Sequence, residues 1–153
     1  MRALPLVYTT LVLAFSALAA TVSAKEAPPV AAPPAYRIIV HPTNPANTVS
    51  KTLLQDAFLK KTTRWPDDRN IRPADLKASS PVRVRFTEEV LGRTVAAVRS
   101  YWQQRIFSGR GVPPPELDSD QKVVAYVLEH EGAVGYVSGT ANLQGARTVA
   151  LGK

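Results

Sequence analysis

The residues best suited to chemistry stand together in Ser79-Ser80-Pro81-Val82-Arg83-Val84-Arg85-Phe86. Read as a helix start, the stretch has a hydroxyl N-cap at Ser80 and proline at the first helical position, where its missing N–H costs nothing. Val82, Phe86 and Val90 then share one face at helical spacing. Free backbone N–H groups and the positive dipole end would face solvent there, with the hydroxyls of Ser79 and Ser80 and the guanidinium of Arg83 beside them. That combination binds small oxyanions. The same residues alternate apolar and charged from Val82 to Phe86, the pattern of a half-buried strand. The Ser-Pro start and the apolar face that runs past Phe86 favour the helix.

Other reactive side chains do not assemble. The two histidines are His41 and His130. Glu129-His130-Glu131 has the composition of a metal or base cluster, yet sequence neighbours on a helix point in different directions. Zinc spacing would need ligands at i and i+4 with a third elsewhere. There is no Gly-x-Ser-x-Gly elbow, no glycine-rich phosphate loop and no readable pair of catalytic carboxylates. The chain has no cysteine, which excludes disulfides and thiolate chemistry. The expectation is a protein that is not an enzyme and needs no metal or cofactor. A second functional class is protein contact. Arg99, Tyr101, Trp102, Arg105 and Phe107 fall on one segment and are types enriched at binding hot spots. Trp102 lies on the buried stripe of that segment, whereas Tyr101 lies off it, toward a partner or solvent.

Residues 1–24 read as a secretory signal peptide: Arg2, an apolar run from Leu4 to Ala20, then Val22-Ser23-Ala24 as a cleavage site. Export to the periplasm follows, with nothing membrane-spanning once the signal is removed. Residues 25–35, rich in proline and alanine, read as an extended, disordered leader. Residues 36–153 are long enough for one domain with its own core. The formal charge of +7 favours acidic or anionic partners. Scattered lysines and arginines on an exported chain argue against nucleic acid.

The elements that must carry the Ser79–Arg83 turn alternate in type. Tyr36 to Val40 reads as a buried strand, and Ser50 caps a helix that buries Leu54, Ala57 and Phe58, with Val49 stapled to Leu54. Arg64 to Asp68 is a turn, and Asn70 to Pro73 a short edge strand. Leu91-Gly92 breaks the helix that Ser80 starts. A second begins at about Thr94 and runs to Phe107, with Val95, Val98, Trp102 and Ile106 turned inward. Ser108-Gly109-Arg110-Gly111 and three prolines stop it. Asp118, with Gln121, caps a helix burying Val123, Val124, Val127 and Leu128. Gly132 then takes a left-handed turn into a buried strand, Ala133 to Val137, and Thr148 to Leu151 adds an edge strand. This is an α/β pattern, a small mixed sheet flanked by helices in three layers.

Three blocks together resemble a known family. Leu54, Phe58, Leu59 and Lys61 before Trp65-Pro66-Asp67 are similar to the "L-x-x-I-F-L-G-K … W-x-D" run of the periplasmic phosphate-binding proteins of ABC transporters. Ser80-Pro81-Val82-Arg83-x-x-Phe86 resembles that family's "S-G-T-x-x-x-F" phosphate turn, and Gly132 to Val137 its "G-A-I-G-Y-V" strand. The blocks keep the family's order. The resemblance implies one lobe of a type II periplasmic binding protein, a single-lobe phosphate-binding-like domain. It implies phosphate or a similar small oxyanion as ligand, held by Ser80, with Ser79 and Arg83 as local additions. A transporter permease or another envelope protein is the implied partner. In the two-lobe proteins the anion is enclosed by closure of a cleft. Here Pro81 stands for the family's glycine, Val82 for its threonine, Leu76 or Asp75 for the arginine ahead of the turn, and Asp68 for a glycine. The alternative expectation is an interaction module that kept the fold and lost the ligand.

Overall fold

The computed structural model describes residues 35–152. The expected signal peptide, the expected leader up to residue 34 and residue 153 lie outside the described residues.

A five-stranded mixed sheet organises the domain. It comprises β1 (Tyr36–Val40), β2 (Thr48–Ser50), β3 (Arg72–Pro73), β6 (Ala133–Ser138) and β7 (Arg147–Gly152), in the order β2-β7-β1-β6-β3. β1 runs antiparallel to both β6 and β7, with Ile38 opposite Tyr136 on one side and Val149 on the other. The outer strands β2 and β3 add in parallel. A separate parallel ribbon pairs β4 (Asp75–Leu76) with β5 (Glu116–Leu117). Consecutive Ile38, Ile39 and Val40 are all buried, as are Ala133 to Val137. Successive strand residues point to opposite faces, so both faces of the central strands are covered.

The helices form where the start signals place them. α1 (Lys51–Phe58) is capped by Ser50, whose Oγ accepts the Leu53 N–H at 3.1 Å, and it buries Leu54, Ala57 and Phe58. α2 (Pro81–Phe86) starts at Ser80 with Pro81 in its first turn, so the segment is helical and not a strand. It runs on into a π-helical turn (Thr87–Leu91), ended by Gly92 at φ 63°. α3 (Val95–Phe107) is capped by Thr94, and α4 (Asp120–Glu129) packs on β6 and β1. Among the described residues no helix is long and apolar enough to cross a membrane.

Four local expectations need correcting. The cap of α4 is Ser119, whose Oγ accepts the Lys122 N–H; Asp118 instead reaches Lys122 Nζ at 2.6 Å. β7 is internal, because β2 folds back beside it. The buried stripe of the Pro81–Leu91 segment is Arg83, Phe86, Thr87, Val90 and Leu91, with Val82 only half-buried. On α3 only Val98 and Trp102 are buried, and Ile106 stays about half exposed.

Candidate functional site

The Ser79–Arg83 turn leaves β4 and enters α2. Ser80 N–H donates to the Lys77 carbonyl at 2.9 Å, which closes the turn. Ser79 is exposed and Ser80 half-buried; the Ser80 hydroxyl makes no cap bond. Pro81 offers no N–H, while the amides of Val82 and Arg83 lie in the first turn and have no partner within α2. Pro81, Val82 and Arg85 line a shallow depression together with Ala35.

Arg83 does not join the two serines. Its position on the buried stripe turns the guanidinium inward, where only 3% of the residue is exposed. Arg83 Nη1 lies 2.7 Å from Asp75 Oδ1, donates to the Leu76 carbonyl, and is 3.6 Å from Glu116 Oε1. Tyr136 donates its hydroxyl to the same Asp75 oxygen, and its ring stacks on Phe86 with centroids 3.8 Å apart. The Leu76 N–H adds a further donor to Asp75 at 3.0 Å. Burial raises the Asp75 carboxyl to about 6 although Arg83 and the Tyr136 hydroxyl pull it down. The Tyr136 phenol is pushed far upward by burial and by the Asp75 charge. Chemically the cluster is a neutralised guanidinium: Asp75 supplies the anion that Arg83 would otherwise take from solvent. The sequence expectation put Arg83 beside an external oxyanion; the structure places its guanidinium inside, paired with Asp75, as a buried cation must be paired where it is buried.

The histidines stay apart. His41 Nδ1 meets the Thr43 hydroxyl at 2.8 Å, while His130 stacks on Tyr126 and its Nδ1 lies 2.9 Å from the Tyr126 carbonyl. Glu129 and Glu131 are exposed, and among the described residues no group of three metal-ligating side chains forms. Trp65 instead donates Nε1–H to the Gly132 carbonyl at 2.9 Å, tying the tryptophan turn to the head of β6. Asp68, standing where the resembling family has glycine, adopts a φ of 70°, so the turn keeps a left-handed residue without one.

Sequence reasoning missed Asp75 and Tyr136. The available signal was Arg83, Phe86/Thr87 and Val90 at spacings of three and four, with a lone carboxylate following Pro73-Ala74 and preceding Leu76.

No protein-family model matches the sequence, and no curated protein does. Solved structures do share the fold. The chain matches an ABC-type phosphate transport receptor from Vibrio cholerae at TM-score 0.56 and 21% identity, covering 75% of this chain and 45% of that one. It matches a protein of the phosphate ABC transporter substrate-binding type from Clostridium perfringens, solved with phosphate bound, at TM-score 0.58 and 19% identity, covering 75% and 44%. PstS from Borrelia burgdorferi matches at TM-score 0.59 and 12% identity, covering 78% and 47%. The described domain thus has an α/β fold found in phosphate-transport binding proteins. It spans less than half the length of each of these three.

Proposed function

We propose that this is a periplasmic, single-lobe protein of the phosphate-receptor fold that works as a non-catalytic interaction module of the envelope, having given up transport-grade phosphate capture. One observation carries this reading: Asp75 occupies Arg83 inside the protein, 2.7 Å away and out of water. Pro81 and Val82 remove an amide and a hydroxyl from the turn as well. What remains is Ser79, exposed, Ser80, half-buried, and two backbone N–H groups; each hydrogen bond they give an anion replaces one to water, so its net gain is only about 1.5–3 kcal/mol. Export and a role in the periplasm are supported by the apolar N-terminal run and its cleavage signal, and by a fold shared with transport receptors.

A second reading keeps the ligand. The free first-turn amides of Val82 and Arg83, and the likeness to a protein solved with phosphate, favour weak oxyanion binding at the Ser79–Ser80 turn alongside an ABC permease. Calorimetric titration of the mature protein with phosphate decides between the two. No heat at millimolar phosphate, in the wild type and in Ser80→Ala alike, supports the interaction module. Saturable heat lost in Ser80→Ala overturns it in favour of the anion site.

A further inference from the structure

α3 is the least covered of the α-helices in the described domain. Of its thirteen residues only Val98 and Trp102 are buried, and its last turn presents Ile106 and Phe107 at 52% and 96% exposure. Val112, in the loop that follows, is 63% exposed. Beside them lies a groove with a volume of about 160 Å³, walled chiefly by Val95, Val98, Trp102 and Ile106, with Arg99 and Glu116 also in its lining. An apolar pocket next to exposed apolar side chains is the arrangement of a binding hot spot.

Glu116 is the one carboxylate in the groove's lining, and it lies 3.6 Å from the buried Arg83; the α3 segment itself carries positive charge alone. Between Gly92 and Pro115 the sequence holds four arginines (Arg93, Arg99, Arg105 and Arg110) and no carboxylate. Among the described residues none of the four forms an ion pair. Two of them are held in place. Arg105 lies 5.5 Å from the Tyr101 ring centre and 5.9 Å from that of Trp102, and donates to the Arg110 carbonyl at 2.9 Å. Arg93 also lies over the Tyr101 ring, 5.8 Å from its centre. Tyr101 itself is anchored by its hydroxyl to the Leu59 carbonyl. Cations fixed before a partner arrives lose less freedom when it binds.

Resting on the interaction-module reading, we propose that the α3 groove docks an acidic amphipathic segment of a partner protein. Its apolar side chains would enter over Val98 and Trp102, and its carboxylates would meet the arginine rim. A second copy of the chain would set arginines against arginines, an unfavourable pairing. A flat anionic lipid surface would leave the concave wall unfilled.

The test is a selection of randomised helical peptides displayed on phage against the mature protein, followed by fluorescence anisotropy of the enriched peptides. The expected consensus carries Leu or Phe anchors at helical spacing with Asp or Glu around them. Affinity should fall about tenfold or more in Phe107→Ala with Ile106→Ser, and about tenfold in Arg99→Glu with Arg110→Glu. These side chains are exposed, so melting temperatures should hold. Enriched peptides that are neutral or basic, or indifferent to these substitutions, overturn the proposal, as does a selection without enrichment. Tighter binding to phosphatidylglycerol vesicles than to any peptide overturns it for a membrane. A doubled mass in light scattering that Phe107→Ala abolishes overturns it for self-association. Failure here with phosphate still silent in calorimetry removes this surface alone; saturable phosphate heat removes the reading beneath it.

Discussion

Asp75 and Arg83 are a carboxylate and a guanidinium that have both left water, and they do so on unequal terms. Asp75 can shed its charge by taking a proton, whereas a guanidinium stays charged at any accessible pH. Replacing Asp75 by Leu leaves a buried cation with only the Leu76 carbonyl and the distant Glu116, and should cost about 3–5 kcal/mol. Arg83→Met should cost less, because Asp75 then becomes a neutral acid bonded to Tyr136. The double substitution should recover most of the loss; urea denaturation of the four proteins checks the cycle. The same pair sets a pH dependence. Asp75 is raised to about 6 in the folded protein, so the folded state holds its proton more tightly than the unfolded chain. Its contribution to stability is therefore full below about pH 4 and declines as pH rises through 6, by about 3 kcal/mol in all. In Asp75→Asn the melting temperature should lose that decline between pH 4 and 7; an unchanged slope would reject the assignment.

At the scale of elements, stability rests on start signals and close approaches. The Thr94 Oγ accepts the Ala97 N–H at 3.1 Å, so Thr94→Ala should cost about 1 kcal/mol. Gly132 has φ 77°, and a Cβ there would lie 2.0 Å from the Asn70 carbonyl oxygen. Gly132→Ala combines a left-handed penalty with overpacking and should cost at least about 2 kcal/mol, read from denaturant midpoints. Much of this was legible beforehand. Caps, prolines and glycines name the helix ends, and runs of β-branched residues name β1 and β6. What escaped depends on contacts distant in sequence. β7 looks like an edge until β2 pairs with it, since a three-residue strand carries almost no pattern. Arg83 sits at core spacing, but an arginine is read as surface until a carboxylate such as Asp75 is known to face it. The cap of α4 moved by one residue because Asp118 and Ser119 are both good caps, and Asp118 is drawn off by Lys122.

On the scale of the whole molecule, what matters is how much of a clamshell is present. The described domain matches less than half of each phosphate-transport protein it resembles in fold. Taken by itself, one such lobe would leave an anion at its surface in competition with water and without the gain of a low dielectric. Two copies meeting face to face could restore enclosure, and that arrangement has a distinct signature. If phosphate binding assembled such a pair, mass in light scattering would double as phosphate is added, and the titration would sharpen with protein concentration by mass action. We expect the mass to stay that of one chain from zero to millimolar phosphate. With Arg83 held by Asp75 inside the protein, that guanidinium is not offered to a shared ligand, and the arginine-rich α3 faces repel one another. A phosphate-dependent dimer would show that enclosure is built between chains, and the closed Asp75–Arg83 pair would then mark the resting form of a receptor.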